Sequence, residues 1–144
     1  MDRINNRWST QKDEINKLKA EQALKVLARD IKDIRYVKDW AKRAGYSQSC
    51  LNELLKSNFN VNSKQVLKEV RFHKIYSLIK KDPEVTSFSV AISCGLNDEQ
   101  GLCKFLKRHY GTSFSEIRYN AMLKQLNELN SQSKTDSSIK KWLE

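Results

Sequence analysis

The chain has 144 residues, with 27 lysines and arginines against 17 aspartates and glutamates, giving a formal net charge of +10 at pH 7. One proline and four glycines are too few turn formers for an all-β fold. No apolar run approaches the roughly 18 to 20 residues of a membrane span, and residues 1–8 lack the apolar segment of a secretory signal. These features predict a helical, basic intracellular protein. Its first candidate partner is nucleic acid, followed by an anionic membrane surface or an acidic protein.

The cysteines and histidines predict no reactive or metal-binding site. Cys50, Cys94 and Cys103 form no C-x-x-C pair, which favours reduced thiols in a cytosol-like compartment over disulfides or zinc. We expect all three to pack as small hydrophobes on apolar helix faces, with redox sensing by Cys94 or Cys103 as the alternative. His73 and His109 are expected in the core or at its boundary. The sequence therefore predicts no catalytic constellation, no metal and no cofactor.

Helical periodicity begins near the N-terminus. Ser9 or Thr10 suits an N-cap, and apolar residues recur at spacings of three and four from Ile15 to Ile34. A helix over about 10–29 is predicted. We expect it to pack on the body of the protein, and an interaction arm or dimer stripe is the alternative.

The next two segments have the outline of a helix-turn-helix. A helical pattern over 37–44 stops at Gly45, which can take a positive φ, and Ser47 is placed to cap a helix over 48–58. At about 100° per residue, one face of the second helix is apolar, with Cys50, Leu51, Leu54 and Leu55. The opposite face carries Gln48, Ser49, Asn52, Glu53 and Lys56.

A long helix is predicted next. Asn60 suits a left-handed turn, and a helix capped by Ser63 should run to about Lys81 and end at Asp82–Pro83. Its apolar residues cover more than half of the circumference, as expected of a buried connector between two lobes. Arg71 falls inside this apolar arc, which favours a paired structural guanidinium over a phosphate contact.

The helix-turn-helix outline then returns, 50 residues further on by the spacing of Gly45 and Gly95. Asn97 or Asp98 follows as the cap of a helix over about 98–110, which ends at Gly111. Its buried side is predicted to hold Leu102, Phe105, Leu106 and Tyr110. The opposite face carries Gln100, Gly101, Lys104, Lys107 and Arg108. Two such units joined by a buried helix are a more specific sequence signal than either unit alone.

From about Ala23 to Arg118 the chain resembles the AraC/XylS family of bacterial transcription regulators. The strongest match is the sequence Val-Ala-Ile-Ser-Cys-Gly-Leu at 90–96, continued at 105–111 and 115–118. It looks like the family signature around the second helix-turn-helix. The first unit and the start of the connector match at Gly45, Tyr46, Ser47, Leu51, Leu55, Lys56 and Arg71. The resemblance implies an all-α fold with two helix-turn-helix lobes joined by a long buried connector helix.

The resemblance also implies a domain organisation. It divides the chain into an N-terminal arm over 1–19, partly helical, a tandem helix-turn-helix domain over 20–120, and a helix extension with a flexible tail over 121–144. Few residues precede the matched region, so we expect a short stand-alone member of the family or a DNA-binding fragment of a longer protein. In the C-terminal part, helix is predicted through Leu129, then a linker over 130–138. Residues 139–144 are predicted to form a frayed tail or an amphipathic turn that docks.

The resemblance implies a sequence-specific, double-stranded DNA-binding transcription regulator and not an enzyme. It places the protein on the nucleoid in the bacterial cytoplasm, as a monomer or weak homodimer, with RNA polymerase as a further partner. A degenerate helix-turn-helix that serves as a protein-interaction adaptor is the alternative.

One recognition helix is expected in each of two adjacent major grooves, about 34 Å apart. Asn and Gln side chains can pair with adenine, Glu can accept from cytosine and Lys can reach guanine. The predicted base-reading residues are Gln48, Ser49, Asn52 and Glu53 in one groove and Glu99, Gln100 and Lys104 in the next. The predicted interface is completed by Lys56, Gly101, Lys107 and Arg108.

Overall fold

A computed structural model describes the backbone of residues 2–134 and the side chains of 11–130. Within this range the chain is all-helical, which confirms the predicted fold class, and no helix there is long and apolar enough to cross a bilayer. The elements are α1 (Asp2–Asp30), a 3-10 helix (Ile31–Asp33), α2 (Val37–Ala44), α3 (Gln48–Phe59), α4 (Ser63–Lys81), α5 (Ser87–Ser93), α6 (Glu99–Tyr110) and α7 (Phe114–Lys134). The turn predicted over 139–144 lies outside the described residues.

Both terminal helices are longer than predicted. α1 begins at Asp2, so the predicted caps Ser9 and Thr10 lie inside the helix and the start near residue 10 is wrong. α7 continues to Lys134, so the linker predicted from residue 130 is wrong for 130–134. Neither stretch contains proline or glycine, the residues that end helices most strongly, and serine or asparagine alone does not stop a helix.

The turns within the body form largely as predicted. Gly45, Gly95 and Gly111 have positive φ, and Asn60 takes the same left-handed conformation at φ 55°. The Ser47 hydroxyl oxygen accepts a hydrogen bond from the Cys50 N–H at 3.1 Å, which confirms Ser47 as a cap. The cap of α4 differs from the prediction.

Asn62, and not Ser63, caps α4. The Asn62 Oδ1 accepts from the Gln65 N–H at 2.8 Å, whereas Ser63 is the first helical residue and is buried. Asparagine and serine are about equally good caps, so composition alone did not distinguish the two neighbours.

The chain forms two compact units. The first consists of the residues up to Lys74 together with Ile92–Leu96, and the second of Ile75–Ala91 together with the residues from Asn97 onward. α4 begins in the first unit and ends in the second, as the predicted connector should. Its apolar side chains are buried or half-buried along the whole helix: Val66, Leu67, Val70, Phe72, Ile75, Leu78 and Ile79.

The core of the first unit joins α1, α2, α3 and the start of α4. Trp40 is fully buried, and its Nε1 donates a hydrogen bond to the Ala23 carbonyl oxygen at 2.8 Å, which fixes α2 to α1. Because the indole N–H has a partner, its burial adds apolar contact without an unpaired donor. The remaining core residues are Leu27, Ile31, Ile34, Ala41, Leu51, Leu55, Val66 and Leu67.

A buried arginine ties three segments of the first unit together. The Arg71 Nε donates to the Cys94 carbonyl oxygen at 2.9 Å, and its Nη2 donates to the carbonyl oxygens of Ile34 at 2.7 Å and Arg35 at 3.1 Å. Burial lowers the pKa of the Arg71 guanidinium. The predicted structural role of Arg71 is confirmed, and the partners in these hydrogen bonds are backbone carbonyls.

The second unit buries one face of α6 against its other helices. Arg118 on α7 lies over the Phe114 ring, 4.6 Å from Cζ to the ring centre, and its Nη2 donates to the Val85 carbonyl oxygen. The buried apolar residues of this unit are Ile75, Ile79, Val90, Ala91, Leu102, Phe105, Leu106, Phe114, Ile117 and Ala121.

Candidate nucleic-acid interface

α3 presents a polar face to solvent in the first unit. Leu51 and Leu55 are buried, which fixes the orientation of the helix. Gln48, Ser49, Glu53 and Lys56 are exposed as predicted, and with Asn52 they lie within an arc of about 140°. The structure thus brings together the predicted residues of the first unit on one side of one helix.

Asn52 differs from its neighbours on that face. It is half-buried, and its Oδ1 accepts a hydrogen bond from the Ser63 N–H at 3.0 Å. Bidentate pairing with adenine needs the amide oxygen and the amide N–H₂ of one side chain together. Since the Asn52 Oδ1 is already hydrogen-bonded to the Ser63 N–H, Asn52 is less suited to base readout than Gln48 or Ser49.

A recess of about 400 Å³, lined mostly by polar residues, opens beside this face. It is lined by α3 residues, by the start of α4 and by the first residue of α2: Val37, Gln48, Ser49, Asn52, Asn62, Ser63 and Lys64. Lys64 is exposed and was not among the residues predicted for the interface. Its place at the start of the helix that follows the reading helix is the signal that could have found it.

α6 presents the corresponding face in the second unit. The Asp98 Oδ1 accepts from the Gly101 N–H at 2.8 Å and caps the helix, and Gly111 ends it in the left-handed conformation. Leu102, Phe105 and Leu106 are buried as predicted, whereas Tyr110 is only half-buried. The solvent side carries Glu99, Gln100, Lys104, Lys107 and Arg108, with Gly101 half-buried beside them.

The basic residues of α6 lie together. Gln100, Lys104, Lys107 and Arg108 fall within an arc of about 100°, opposite the buried leucines. The last turn is basic, through Lys107, Arg108 and His109, and cations near a helix C-terminus are favoured by its dipole. α6 therefore has a more positive exposed face than α3.

Several predicted core residues are exposed. Cys50 and Cys103 are exposed, so their predicted burial is wrong. His73 and His109, expected in the core or at its boundary, are exposed as well. Cys50 and Cys103 lie at the edges of their helices' apolar arcs, where periodicity alone does not decide burial. Cys94 is buried as predicted. Among the described residues, no group of three or more His, Cys, Asp or Glu side chains could hold a metal ion.

The thiols are expected to differ sharply in reactivity. Burial raises the pKa of the Cys94 thiol to about 12, whereas Cys50 and Cys103 are exposed. Since the thiolate is the nucleophile, a thiol reagent at pH 8 should modify two thiols per folded chain and the third only after unfolding. The folded pKa lies above that of an unfolded thiol, about 8.5. Burial of Cys94 therefore contributes stability at neutral pH that is lost as pH rises from about 9 towards 12.

The thiol count can be checked with a Cys50→Ser variant, which should react at one thiol per folded chain. Rapid modification of all three thiols in the folded wild type would show that Cys94 is accessible.

A helix, a left-handed glycine turn and a capped helix with a polar outer face occur twice along the chain, first from α2 to α3 and again from α5 to α6, which defines a tandem helix-turn-helix protein. A family model described as a helix-turn-helix domain matches residues 40–120, more than half of the chain. The chain belongs to the AraC-type helix-turn-helix family, which confirms the resemblance. No curated protein sequence matches it.

Two crystal structures have a similar fold. One is a DNA-binding transcriptional dual regulator from Escherichia coli K-12, with a TM-score of 0.59 and 20% identity over 73% of this chain and 93% of that one. The other is a transcriptional regulator from Chromobacterium violaceum, of the AraC-type DNA-binding domain-containing proteins. Its TM-score is 0.60 and its identity 17%, over 72% of this chain and 91% of that one.

Proposed function

We propose that the protein is a sequence-specific, double-stranded DNA-binding transcription regulator that places α3 and α6 in two adjacent major grooves. The observation that carries the proposal is the repeated unit, in which a buried apolar side fixes each helix and leaves a polar or basic face exposed. The family and the fold are those of DNA-binding regulators, which are generally not enzymes.

The exposed side chains suggest a role for each helix. In the first unit Gln48, Ser49 and Glu53 are suited to base edges, because their polar groups are exposed at the N-terminal half of α3. In the second unit Glu99, Gln100 and Lys104 have that role, with Gly101 leaving room for the DNA. Phosphate contacts are assigned to Lys56, Lys107 and Arg108, which fix the register of the protein on the duplex.

The site that the protein selects from a random duplex library tests the proposal. Two different reading helices on one chain should select an asymmetric site that spans two major grooves and binds one chain. Site symmetry is read from the selected sequences, and stoichiometry from analytical ultracentrifugation of the complex. Recovery of palindromes alone, each with two chains bound, would contradict the tandem arrangement.

The second reading helix is expected to supply affinity more than sequence choice. Lys107→Ala or Arg108→Ala should weaken binding to selected and scrambled duplexes alike, and should reduce the slope of log K against log salt by about 1. Lys124→Ala, which removes an exposed charge from α7, is the matched control and should leave the slope unchanged. Titrations of labelled duplex at several salt concentrations measure both quantities.

The first reading helix should show the opposite behaviour. Gln48→Ala is expected to cost about 1–3 kcal/mol on the selected duplex and little on the scrambled one. The two helices would have the reverse roles if Gln48→Ala left the ratio of the affinities for selected and scrambled duplex unchanged while Lys107→Ala reduced this ratio to about one.

A protein-interaction adaptor is the second candidate, and an apolar stripe on α7 favours it. Tyr119 and Leu129 are each more than 60% exposed there, and large exposed apolar patches mark interaction surfaces. The other members of the stripe are Met122, Leu123 and Leu126. The adaptor hypothesis predicts no duplex affinity even at low salt. A DNA-binding protein, in contrast, should lose affinity steeply as the salt concentration rises.

A further inference from the structure

We propose that Lys64 contacts the DNA backbone beside the first reading helix, and that Asn52 is the positioning residue that holds Lys64 there. This inference rests on the proposed DNA-binding function and adds two roles to it. Lys64 becomes a phosphate contact, and Asn52 acts through Lys64 instead of reading a base.

The link between α3 and α4 is the first argument. The Asn52 Oδ1 accepts from the Ser63 N–H at 3.0 Å, in the residue directly before Lys64. The first turn of α4 is also fixed by its cap, because the Asn62 Oδ1 accepts a hydrogen bond from the Gln65 N–H at 2.8 Å. Lys64 therefore extends from a backbone segment that is tied to the reading helix at one end and capped at the other.

The charge of the recess is the second argument. Among its lining residues Lys64 is the only charged one, and the others next to it on α3 are the base-reading candidates Gln48 and Ser49. The first turn of α4 contains no acidic residue that could neutralise the ammonium group. A groove wall whose lining includes one cation and no acidic residue, beside polar reading residues, matches the chemistry of a duplex, with phosphates flanking base edges.

The second unit lacks this arrangement. The first turn of α7, the helix that follows α6, contains Glu116, whose Oε2 accepts from the Thr112 hydroxyl at 2.9 Å. The fifth residue of α6, which corresponds to Asn52 in α3, is the exposed Cys103. α6 instead has Lys107 and Arg108 in its own last turn, where α3 has only Lys56. The first unit thus takes from α4 part of the positive charge that the second unit has on its reading helix.

Salt titrations of the full chain on a labelled mixed-sequence duplex test the inference. Each phosphate contact contributes about 0.9 to the slope of log K against log salt, so Lys64→Gln should reduce the slope by about that amount. Between 50 and 200 mM salt, its affinity should fall about 3.5-fold less than that of the wild type. Lys25→Gln is the matched control, since Lys25 is exposed on α1 of the same unit and does not line the recess.

Asn52→Ala tests the positioning role. It should reduce the slope nearly as much as Lys64→Gln, and the double variant should show little further reduction, because both changes remove the same contact. Circular dichroism and thermal unfolding confirm that each variant is folded. A merely structural role for Asn52 would lower the melting temperature and leave the salt slope unchanged.

The outcomes separate the two levels of the proposal. If the wild type binds with a steep salt dependence and Lys64→Gln has the wild-type slope, the Lys64 contact is wrong while the proposed function stands. Additive effects of Asn52→Ala and Lys64→Gln would overturn the positioning role. A wild type without duplex affinity would overturn the proposed function, and the inference with it.

Discussion

Gly95→Ala is expected to lower the free energy of unfolding of the first unit by about 4 kcal/mol or more, a range reached only when a change forces strain or a clash. Gly95 has a φ of +82°, which costs an L-residue about 1–2 kcal/mol. In addition, a Cβ at this position would lie 2.5 Å from the Ile31 carbonyl oxygen and 2.6 Å from that of Ile34. Both contacts are with backbone, so no side chain can rotate away to relieve them.

Gly45→Ala is the matched control, since it separates backbone strain from the clash. Gly45 has nearly the same φ, +84°, but a Cβ there would meet nothing within 4 Å. It should cost only about 1–2 kcal/mol. At roughly 3 °C per kcal/mol for a chain of this size, melting temperatures should fall by about 10 °C or more for Gly95→Ala and by about 3–6 °C for Gly45→Ala. Equal decreases for the two variants would show that the close approach at Gly95 has no energetic consequence.

The difference between these glycines also shows what the sequence could predict. Both are predicted correctly as turn residues, because a helix that ends in glycine is a local pattern. The contact between Gly95 and the carbonyl oxygens of Ile31 and Ile34 joins residues about 60 positions apart. Local periodicity cannot predict such a contact. The sequence alone therefore could not show at which of the two glycines an added Cβ would clash with the backbone.

The same distinction between local and long-range interactions explains which features of the candidate interface could be predicted from the sequence. The exposed faces of α3 and α6 follow from helical periodicity, and the structure shows both. The periodicity places Asn52 on the reading face but cannot show that its oxygen is bonded to Ser63, eleven residues further on. Cys50 was wrongly predicted as buried because the apolar arc does not reveal where the neighbouring helices stop.

The structural role of Arg71 was predicted correctly, but the sequence did not show the hydrogen bonds that explain this role. Its position in the apolar arc of α4 indicated a structural role, and the structure shows that role as hydrogen bonds to three backbone carbonyls. Two of these carbonyls belong to residues more than 35 positions earlier in the chain. The apolar arc indicated the role of this residue, but not the segments that it joins.

Arg71→Met is expected to destabilise the first unit by about 3–5 kcal/mol, because three backbone carbonyl oxygens lose their donor and each such loss costs about 1–3 kcal/mol. Methionine can replace the aliphatic part of the side chain, but the carbonyl oxygens of Ile34, Arg35 and Cys94 then lose a charged donor. Each such loss at a buried group is costly, because water cannot easily replace the donor. The melting temperature should fall by about 10 °C or more in thermal unfolding followed by circular dichroism.

Arg71→Lys distinguishes the charge from the geometry. Lysine retains the positive charge, but its compact ammonium group lacks the planar fork that lets Nε and Nη2 of one arginine reach carbonyls of separate segments. We expect it to recover less than half of the stability lost in Arg71→Met. Lys74→Met is the matched control on α4, since Lys74 is exposed and its replacement should change stability by no more than about 0.5 kcal/mol. If Arg71→Lys were as stable as the wild type, buried charge and not the directed hydrogen bonds would hold the three segments together.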